Sequence, residues 1–522
     1  MIDSIKTFSR QHSITILLAL FGLTGAALIW INTPWGIGVG YDSIFYLSAA
    51  DNLLAGLGLS RLDGYGNVIP LTHFPPLYSL SVGGLSFLTG LGIDLVARIF
   101  AAILFGALVG LIGWLIFQYT RSLLACVLGA TLALVSPVLL DLSFLAMSEL
   151  LFLVLLLLMI HILNRYLINE KILYLVIAAG LAALLYLTRY VGISAVALGG
   201  IGLLIFGQRS MVKRIKDVIL FAVISLLPML VYYARNWFLT GSMTNRVILF
   251  HPPTEAQIRQ GISTMSAWLI PTRINIYIRS IVMIIFGIAI LVLIVLNFQQ
   301  IRGKTDTQPE DTETMQFVAL LLIYVVIYII MVGLSLTFFD ASTRLNDRIL
   351  SPLYVIGIVV VLVVIWNSSL LQQNSWGKVG ITIICVAFIA LNFLRGMDVT
   401  NNMRIEGKGF SGRQWRSSET IANLTQLPAE KLIFTNEAFA IYYLVDRPAN
   451  WIPENYDPVK GQQAEDYEQR INAMQEEIID RDGALVIFNS ISKTNVYAPI
   501  EQLTSRLALL AMGDDGSIYV RP

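Results

Sequence analysis

Apolar runs of roughly the 20 residues that a helix needs to cross a bilayer recur along the first three quarters of the chain. About eleven are legible, near 13–31, 93–117, 121–140, 148–166, 171–187, 190–207, 217–234, 277–298, 317–337, 351–367 and 378–395. The stretch 171–207 is interrupted only by Thr188, Arg189 and Tyr190; it is too long for one crossing and reads as two spans joined by a tight turn. Basic residues bias loops to the cytoplasm. Placing Lys6, Arg10, Arg121, Arg165, Lys171, the Arg209–Lys216 cluster, Arg302, Lys304 and Lys378 inside puts the N-terminus in the cytoplasm. The segments 32–92, 141–147, 188–189, 235–276, 338–350 and everything after about 396 then lie outside. Arg189, Arg344 and Arg348 in the short outer segments break this rule, which marks them for function rather than topology. The polar stretch GKTDTQPEDT at 303–312 reads as a cytoplasmic loop.

Two segments outside the spans carry their own patterns. In 32–92, SIFYLSAADNLLAGLGL has apolar residues at helical spacing behind a cap at Asp42–Ser43, and predicts an amphipathic helix on the membrane surface. A turn-rich RLDGYGNVIP follows, and Pro75–Pro76 open a second helix, LYSLSVGGLSFLTG. Residues 396–522 are richer in charge. After a polar linker at 396–428, KLIFTN and ALVIFN read as strands and EAFAIYYLV and EDYEQRINAMQEEIIDR as helices. SRLALLAMGDDG reads as a helix and turn and SIYVRP as a last strand, so alternating elements predict a small α/β domain.

Composition narrows the class. The 522 residues are 56% hydrophobic and 13% charged, about half the charge of an ordinary soluble chain. Thirty-five basic residues balance 34 acidic ones, so charge predicts no nucleic-acid partner. The two cysteines, Cys126 and Cys385, lie in apolar runs and build no disulfide framework or thiolate metal cage. No Walker A motif and no dinucleotide fingerprint occur.

Ionisable residues at the membrane are costly and by default mark function. They gather at the predicted outer ends of spans: Asp42 with Tyr46 one turn on, His73, Asp141, Glu149, Arg189, Arg235 with Asn236, and Asp340, Arg344, Asp347 and Arg348. Each has a plainer reading, as a helix cap for Asp42, an interfacial turn for His73, a solvated turn for Asp141 and Glu149, and snorkelling to head groups for Arg235 and Arg348. Together they predict one outward-facing polar site. Arginines beside carboxylates and a tyrosine can hold a phosphate and leave a carboxylate as base. A transporter would place polar groups near the bilayer midplane, where few ionisable residues occur here.

At these residues the chain resembles the membrane glycosyltransferases of the GT-C fold, in the family-39-like group of protein O-mannosyltransferases and the lipid A aminoarabinose transferase. The resemblance spans residues 10–520 and rests on ordered short motifs. These are Gly40-Tyr41-Asp42 with Tyr46, His73-Phe74-Pro75-Pro76-Leu77-Tyr78, Ser148-Glu149-Leu150-Leu151-Phe152, Thr188-Arg189-Tyr190-Val191-Gly192, Ala234-Arg235-Asn236-Trp237, and Asn346-Asp347-Arg348-Ile349-Leu350 before Pro352 and Tyr354. It implies a catalytic base at Asp42, donor-phosphate or substrate contacts near Tyr46, His73 and Glu149, and basic residues at Arg235 and Arg348; the span-end polar groups add Arg189 as a substrate-binding candidate and Asp141, Tyr78 and Asp347 as secondary candidates. His73 stands near a family lysine and is open to a metal-ligating role, and the need for a divalent metal ion stays open.

The expectation is an all-α polytopic bundle of about 11 transmembrane helices over 1–395, with a small extracytoplasmic α/β domain over 396–522. The implied activity is inverting transfer of a sugar from a polyprenyl-phosphate donor to a lipid, glycan or protein acceptor at the cell membrane. A lipid or polysaccharide transporter or flippase is the alternative, and a noncatalytic assembly protein a third reading.

Overall fold

The computed structural model describes residues 2–63, 67–246, 248–302, 309–339, 342–368, 375–457, 462–490 and 496–522. Asp340, positions 64–66 of the turn-rich segment and positions 303–308 of the expected cytoplasmic loop lie outside the described residues. Among the described residues, eight helices are long and apolar enough to cross a membrane. They are α1 (Ile2–Asn32, over Ser13–Asn32), α4 (Ile93–Thr120), α7 (Glu149–Asn169), α10 (Met211–Thr240), α12 (Ile276–Arg302), α13 (Pro309–Phe338), α14 (Asp347–Asn367) and α15 (Ser375–Glu406). The pair α5 (Leu123–Val135) and α6 (Pro137–Ser143), bent by 53°, is long and apolar enough only when taken together and is a ninth candidate. The break has a local cause: Ser136 takes extended backbone, its hydroxyl accepts from Leu139 N, and Pro137 occupies the first helical position. The remaining two of the expected runs are the shorter helices α8 (Ile172–Thr188) and α9 (Ile193–Phe206), joined by a 3₁₀ turn at Tyr190–Gly192.

Burial separates the helices. In α7, 72% of the most apolar stretch is buried, against 6% in α12 and in α15, so α7 lies in the bundle's centre and the other two on its rim. α1 and α4 approach backbone to backbone, because a methyl on Gly106 would press on the Gly22 carbonyl.

The first interhelical segment is more than a surface loop. Its two helices form as expected, α2 (Tyr41–Leu54) and α3 (Leu77–Thr89). A short antiparallel pair, β1 (Ser60–Leu62) with β2 (Val68–Pro70), lies between them. α2 is buried along Ser43–Ile44 and Tyr46–Ala50, between α3 and α18 (Ala438–Val445) of the C-terminal region. Its burial on both sides replaces the half-exposed amphipathic helix expected from periodicity.

In that region a five-stranded sheet has the order β4 (Asn450–Trp451), β3 (Ile433–Thr435), β7 (Ala484–Phe488), β9 (Gly516–Val520), β8 (Ala508–Gly513), with β3 parallel to β4 and β7 and β9 antiparallel to β7 and β8. The helix α19 (Tyr467–Asp480) follows the expected pattern, and β5 (Tyr456–Asp457) pairs with β6 (Gln462–Gln463).

Two expectations are corrected. SRLALLAMG carries no helix: α20 (Ile500–Thr504) ends before it, and β8 pairs with β9 in a hairpin, where pairing overrides the helical propensity of Leu and Ala. The expected linker 396–428 is largely helical. α15 continues past residue 395 to Glu406, and α16 (Arg413–Arg416) and α17 (Glu419–Leu424) follow, so the boundary expected at 395/396 falls inside a helix. The polar residues that blurred the pattern are those of a helix leaving the apolar bundle.

Candidate active site

A three-segment ladder positions the site. Gly38 N donates to Phe144 O (2.8 Å) and Gly38 O accepts from Ala146 N (2.9 Å). On the other edge Val39 O accepts from Phe410 N (2.7 Å) and Val39 N donates to Lys408 O (3.3 Å). Gly409 lies at φ +64°, and a methyl there would strike Val39 O. This ladder locks the entry to α2, the entry to α7 and the exit of α15 to one another. It thereby places Asp42 and Glu149, which occupy the first turns of α2 and α7, side by side at one end of the bundle. Both acids sit at the positive end of a helix dipole, and Arg189 caps the C-terminal, negative end of α8.

Arg348, in the first turn of α14, bridges the two acids. Its Nη2 donates to Asp42 Oδ2 at 2.7 Å and its Nε to Glu149 Oε1 at 2.6 Å. Arg189 pairs with the same Glu149 Oε1. The backbone under Arg348 is specialised. Pro352 has no N–H to bond its carbonyl, and the Ser351 hydroxyl takes it instead at 3.1 Å, while Tyr328 donates to the neighbouring Ile349 carbonyl at 2.6 Å. Glu149 is 2% exposed and its Oε2 has no hydrogen-bond partner among the described residues. Asp42 is part-exposed, with a side-chain accessibility of 29%. Two carboxylates thus neutralise two arginines, and the cluster has no cation left over for an incoming phosphate.

The other expected residues divide. Tyr46 joins the site: its hydroxyl lies 3.2 Å from Ser148 Oγ, and its ring packs at 5.2 Å on both Tyr78 and Phe74. His73 stacks edge-on with Phe74 at 4.9 Å, in a loop held by Tyr190 on Thr72 O and Tyr232 on Leu71 O and Phe74 O. Arg235 does not reach the cluster. It donates to Leu71 O (3.1 Å), Leu59 O (2.5 Å) and Asn236 Oδ1 (2.9 Å), and so ties α10 to the segment that carries His73. Asp141 pairs with Lys408 at 2.5 Å and Asp347 accepts from Trp268 Nε1 at 2.8 Å, both away from Asp42. No three His, Cys, Asp or Glu side chains come together as metal ligands among the described residues.

Two residues escaped the sequence reading. Arg246 stands over the Tyr190 ring, 4.9 Å from its centroid, with a buried Nε that has no partner among the described residues. No motif surrounds it, so only its contact with the residue after Arg189 reveals it. Glu437, at the carboxyl end of β3, accepts from the Tyr41 hydroxyl at 2.6 Å and from Ser490 Oγ at 3.0 Å. Burial raises the pKa of Glu437 above the ordinary carboxylate range, opposed by the two donors, and burial beside Glu437 raises that of Tyr41. The sheet thus grips the residue next to Asp42.

No protein-family model matches the chain, and no curated protein matches it. Solved structures do. ArnT from Cupriavidus metallidurans bound to undecaprenyl phosphate superposes with a TM-score of 0.57 at 13% identity, over 97% of this chain and 98% of that one. The Archaeoglobus fulgidus oligosaccharyltransferase in complex with Zn and sulfate gives a TM-score of 0.54 at 14% identity, over 97% of this chain and 73% of that one. The mycobacterial arabinofuranosyltransferase AftD gives 0.50 at 13% identity, over 97% of this chain and 40% of its own. A membrane bundle whose span-end acids are joined by arginines, superposing on these proteins over nearly its whole length, has the GT-C fold of membrane glycosyltransferases.

Proposed function

We propose that the chain is an inverting glycosyltransferase that moves a sugar from a polyprenyl-phosphate donor to an extracytoplasmic acceptor at the cell membrane. The observation that carries this reading is Asp42 itself. Arg348 holds its Oδ2, and its Oδ1 makes no hydrogen bond among the described residues, at the mouth of a bundle of transferase fold.

The acceptor's hydroxyl or amine attacks the anomeric carbon as the bond to the polyprenyl phosphate oxygen breaks. Asp42 Oδ1 takes the acceptor's proton, and the bonding electrons leave with the phosphate. Arg246 is the donor-phosphate ligand, since Arg189 and Arg348 are already matched by carboxylates. Tyr46 and Tyr78 wall the sugar side. His73, in the loop held by Tyr190 and Tyr232, is given no metal-ligating role. A cytoplasmic N-terminus and an extracytoplasmic C-terminal domain following α15, which ends at Glu406, would put the site where a lipid-linked donor is presented. The charged cluster lies at one end of the bundle rather than at its middle, which favours transfer over transport.

Proteoliposomes holding the purified chain, a polyprenyl-phosphate-linked sugar and a membrane-lipid or envelope-glycan fraction test this directly. Mass spectrometry should find free polyprenyl phosphate and an acceptor heavier by one sugar. Relocation of the intact donor across the bilayer, with no sugar transferred, would establish the transport reading instead.

A further inference from the structure

Open parallel sheets take their ligands in the crevice beyond the carboxyl ends of the strands, at the point where the connections diverge. In the C-terminal sheet, β3 leads through α18 to β4 on one side. The chain then returns across β3 to β7 on the other, so that crevice lies between the ends of β3 and β7. The residues at the end of β3 are polar, and Thr435, Asn436 and Glu437 are all buried. Buried polar groups are costly unless they are hydrogen-bonded.

Here the bonds form one connected chain. Asn436 is locked to the backbone at the end of β7: Phe488 N donates to Asn436 Oδ1 (2.8 Å), and Asn436 Nδ2 donates to Phe488 O (3.1 Å). Asn436 Nδ2 also donates to Ser490 Oγ (3.1 Å), and Ser490 donates in turn to Glu437 Oε1 (3.0 Å). Thr435 Oγ1 accepts from Glu437 N (3.1 Å). The other carboxylate oxygen, Glu437 Oε2, accepts from the Tyr41 hydroxyl (2.6 Å). The group received at the crevice is therefore a tyrosine of α2, from the membrane module.

Tyr41 and Phe45 lie four residues apart on one face of α2, and Asp42 and Tyr46 on the next. Phe439, in the first turn of α18, packs edge-on against both Tyr41 (6.2 Å) and Phe45 (5.0 Å). Arg348 holds Asp42 from the bundle side. Both holds are braced: Asp347, beside Arg348, accepts from Trp268 of α11 (Glu255–Leu269) at 2.8 Å, and Asn436 steadies Glu437 through Ser490. Rotation of α2 about its axis would swing Asp42 away from Arg348, and the Tyr41–Glu437 bond on the neighbouring face opposes that rotation. We propose that Glu437 is a positioning residue for Asp42, acting through Tyr41, so that the C-terminal domain completes the active site by fixing the rotation of α2. The inference rests on Asp42 being the base.

Proteoliposomes of the full chain test it, with a polyprenyl-phosphate-linked sugar as donor and the membrane-lipid or envelope-glycan fraction as acceptor. Tyr41→Phe keeps the ring and removes the hydroxyl. Glu437→Leu removes the accepting oxygen, whereas Glu437→Gln keeps an oxygen for Tyr41 and offers an amide N–H to Ser490. Tyr41→Phe and Glu437→Leu should lose about 10- to 100-fold in turnover at unchanged donor KM, the scale of a misplaced catalytic group, and Glu437→Gln should recover most of that loss. Hydrogen–deuterium exchange over residues 41–46 should quicken in Tyr41→Phe and Glu437→Leu and not in Glu437→Gln. If Glu437→Leu does not fold, Tyr41→Phe carries the comparison. Wild-type turnover and exchange in Tyr41→Phe, a loss confined to donor KM, or an equal loss in Glu437→Gln and Glu437→Leu overturns the proposal. The base is read separately: Asp42→Asn should lose transfer while keeping wild-type exchange over 41–46. Wild-type transfer by Asp42→Asn would overturn the base assignment and this inference with it.

Discussion

Arg348 holds Asp42 Oδ2 at 2.7 Å across 306 residues of chain and, through its Nε, holds Glu149 at 2.6 Å. One guanidinium thus orients a part-exposed acid by anchoring itself to a buried one. A lysine ammonium has the charge but not the planar fork that serves two acids in fixed directions. Arg348→Lys should therefore express and fold while losing about 10- to 100-fold in turnover, the scale of a misplaced catalytic group. Steady-state kinetics beside size-exclusion profiles check this.

Glu149 has the opposite role. It is buried and serves two arginines, so its removal strands both charges. Removing one partner from a buried ion pair costs about 3–5 kcal/mol. Glu149→Gln should therefore lower the melting temperature sharply, where Asp42→Asn should not. An unchanged melting temperature would contradict the assigned burial of the network.

The readable part of this site lay in span-end motifs, where an acid or arginine in an apolar context stands out. Asp42, Glu149, Arg189 and Arg348 were visible for that reason. Their partners were not, because the pairs join residues up to 306 positions apart and depend on the ladder around Val39. Arg235 looked equivalent to Arg348 in sequence, yet its fork closes on loop carbonyls, a choice made by the path of residues 59–71. The spans were legible from length, while β8 was not, because a short apolar run of Leu, Ala and Met takes its state from the hairpin partner.

Glu437 couples the sheet to Tyr41 and makes stability pH-dependent. Burial raises its pKa in the folded chain above the unfolded value of about 4.3. Between those two values the folded state binds a proton that the unfolded state has released, so stability falls as pH rises through that window. Glu437→Gln should remove this component. The difference in melting temperature between variant and wild type should grow in the variant's favour from the ordinary carboxylate range upward, measured by thermal unfolding across pH.

Arg246 is the one arginine beside Tyr190 whose Nε is buried and unpartnered among the described residues. If it holds the donor phosphate, Arg246→Gln loses a charged hydrogen bond, about 1.5–3 kcal/mol. That corresponds to a rise in donor KM of about 10- to 150-fold, with a smaller change in kcat. Donor titrations at saturating acceptor separate the two.

The central claim is that Asp42 takes the acceptor's proton while Arg348 orients it. Single-turnover transfer from a polyprenyl-phosphate sugar, compared between wild type and Asp42→Asn at matched melting temperature and donor affinity, tests that most directly. The account predicts a loss of at least about 100-fold in the chemical step, the lower end of general-base contributions, with donor binding intact. Transfer by Asp42→Asn at the wild-type rate would contradict it.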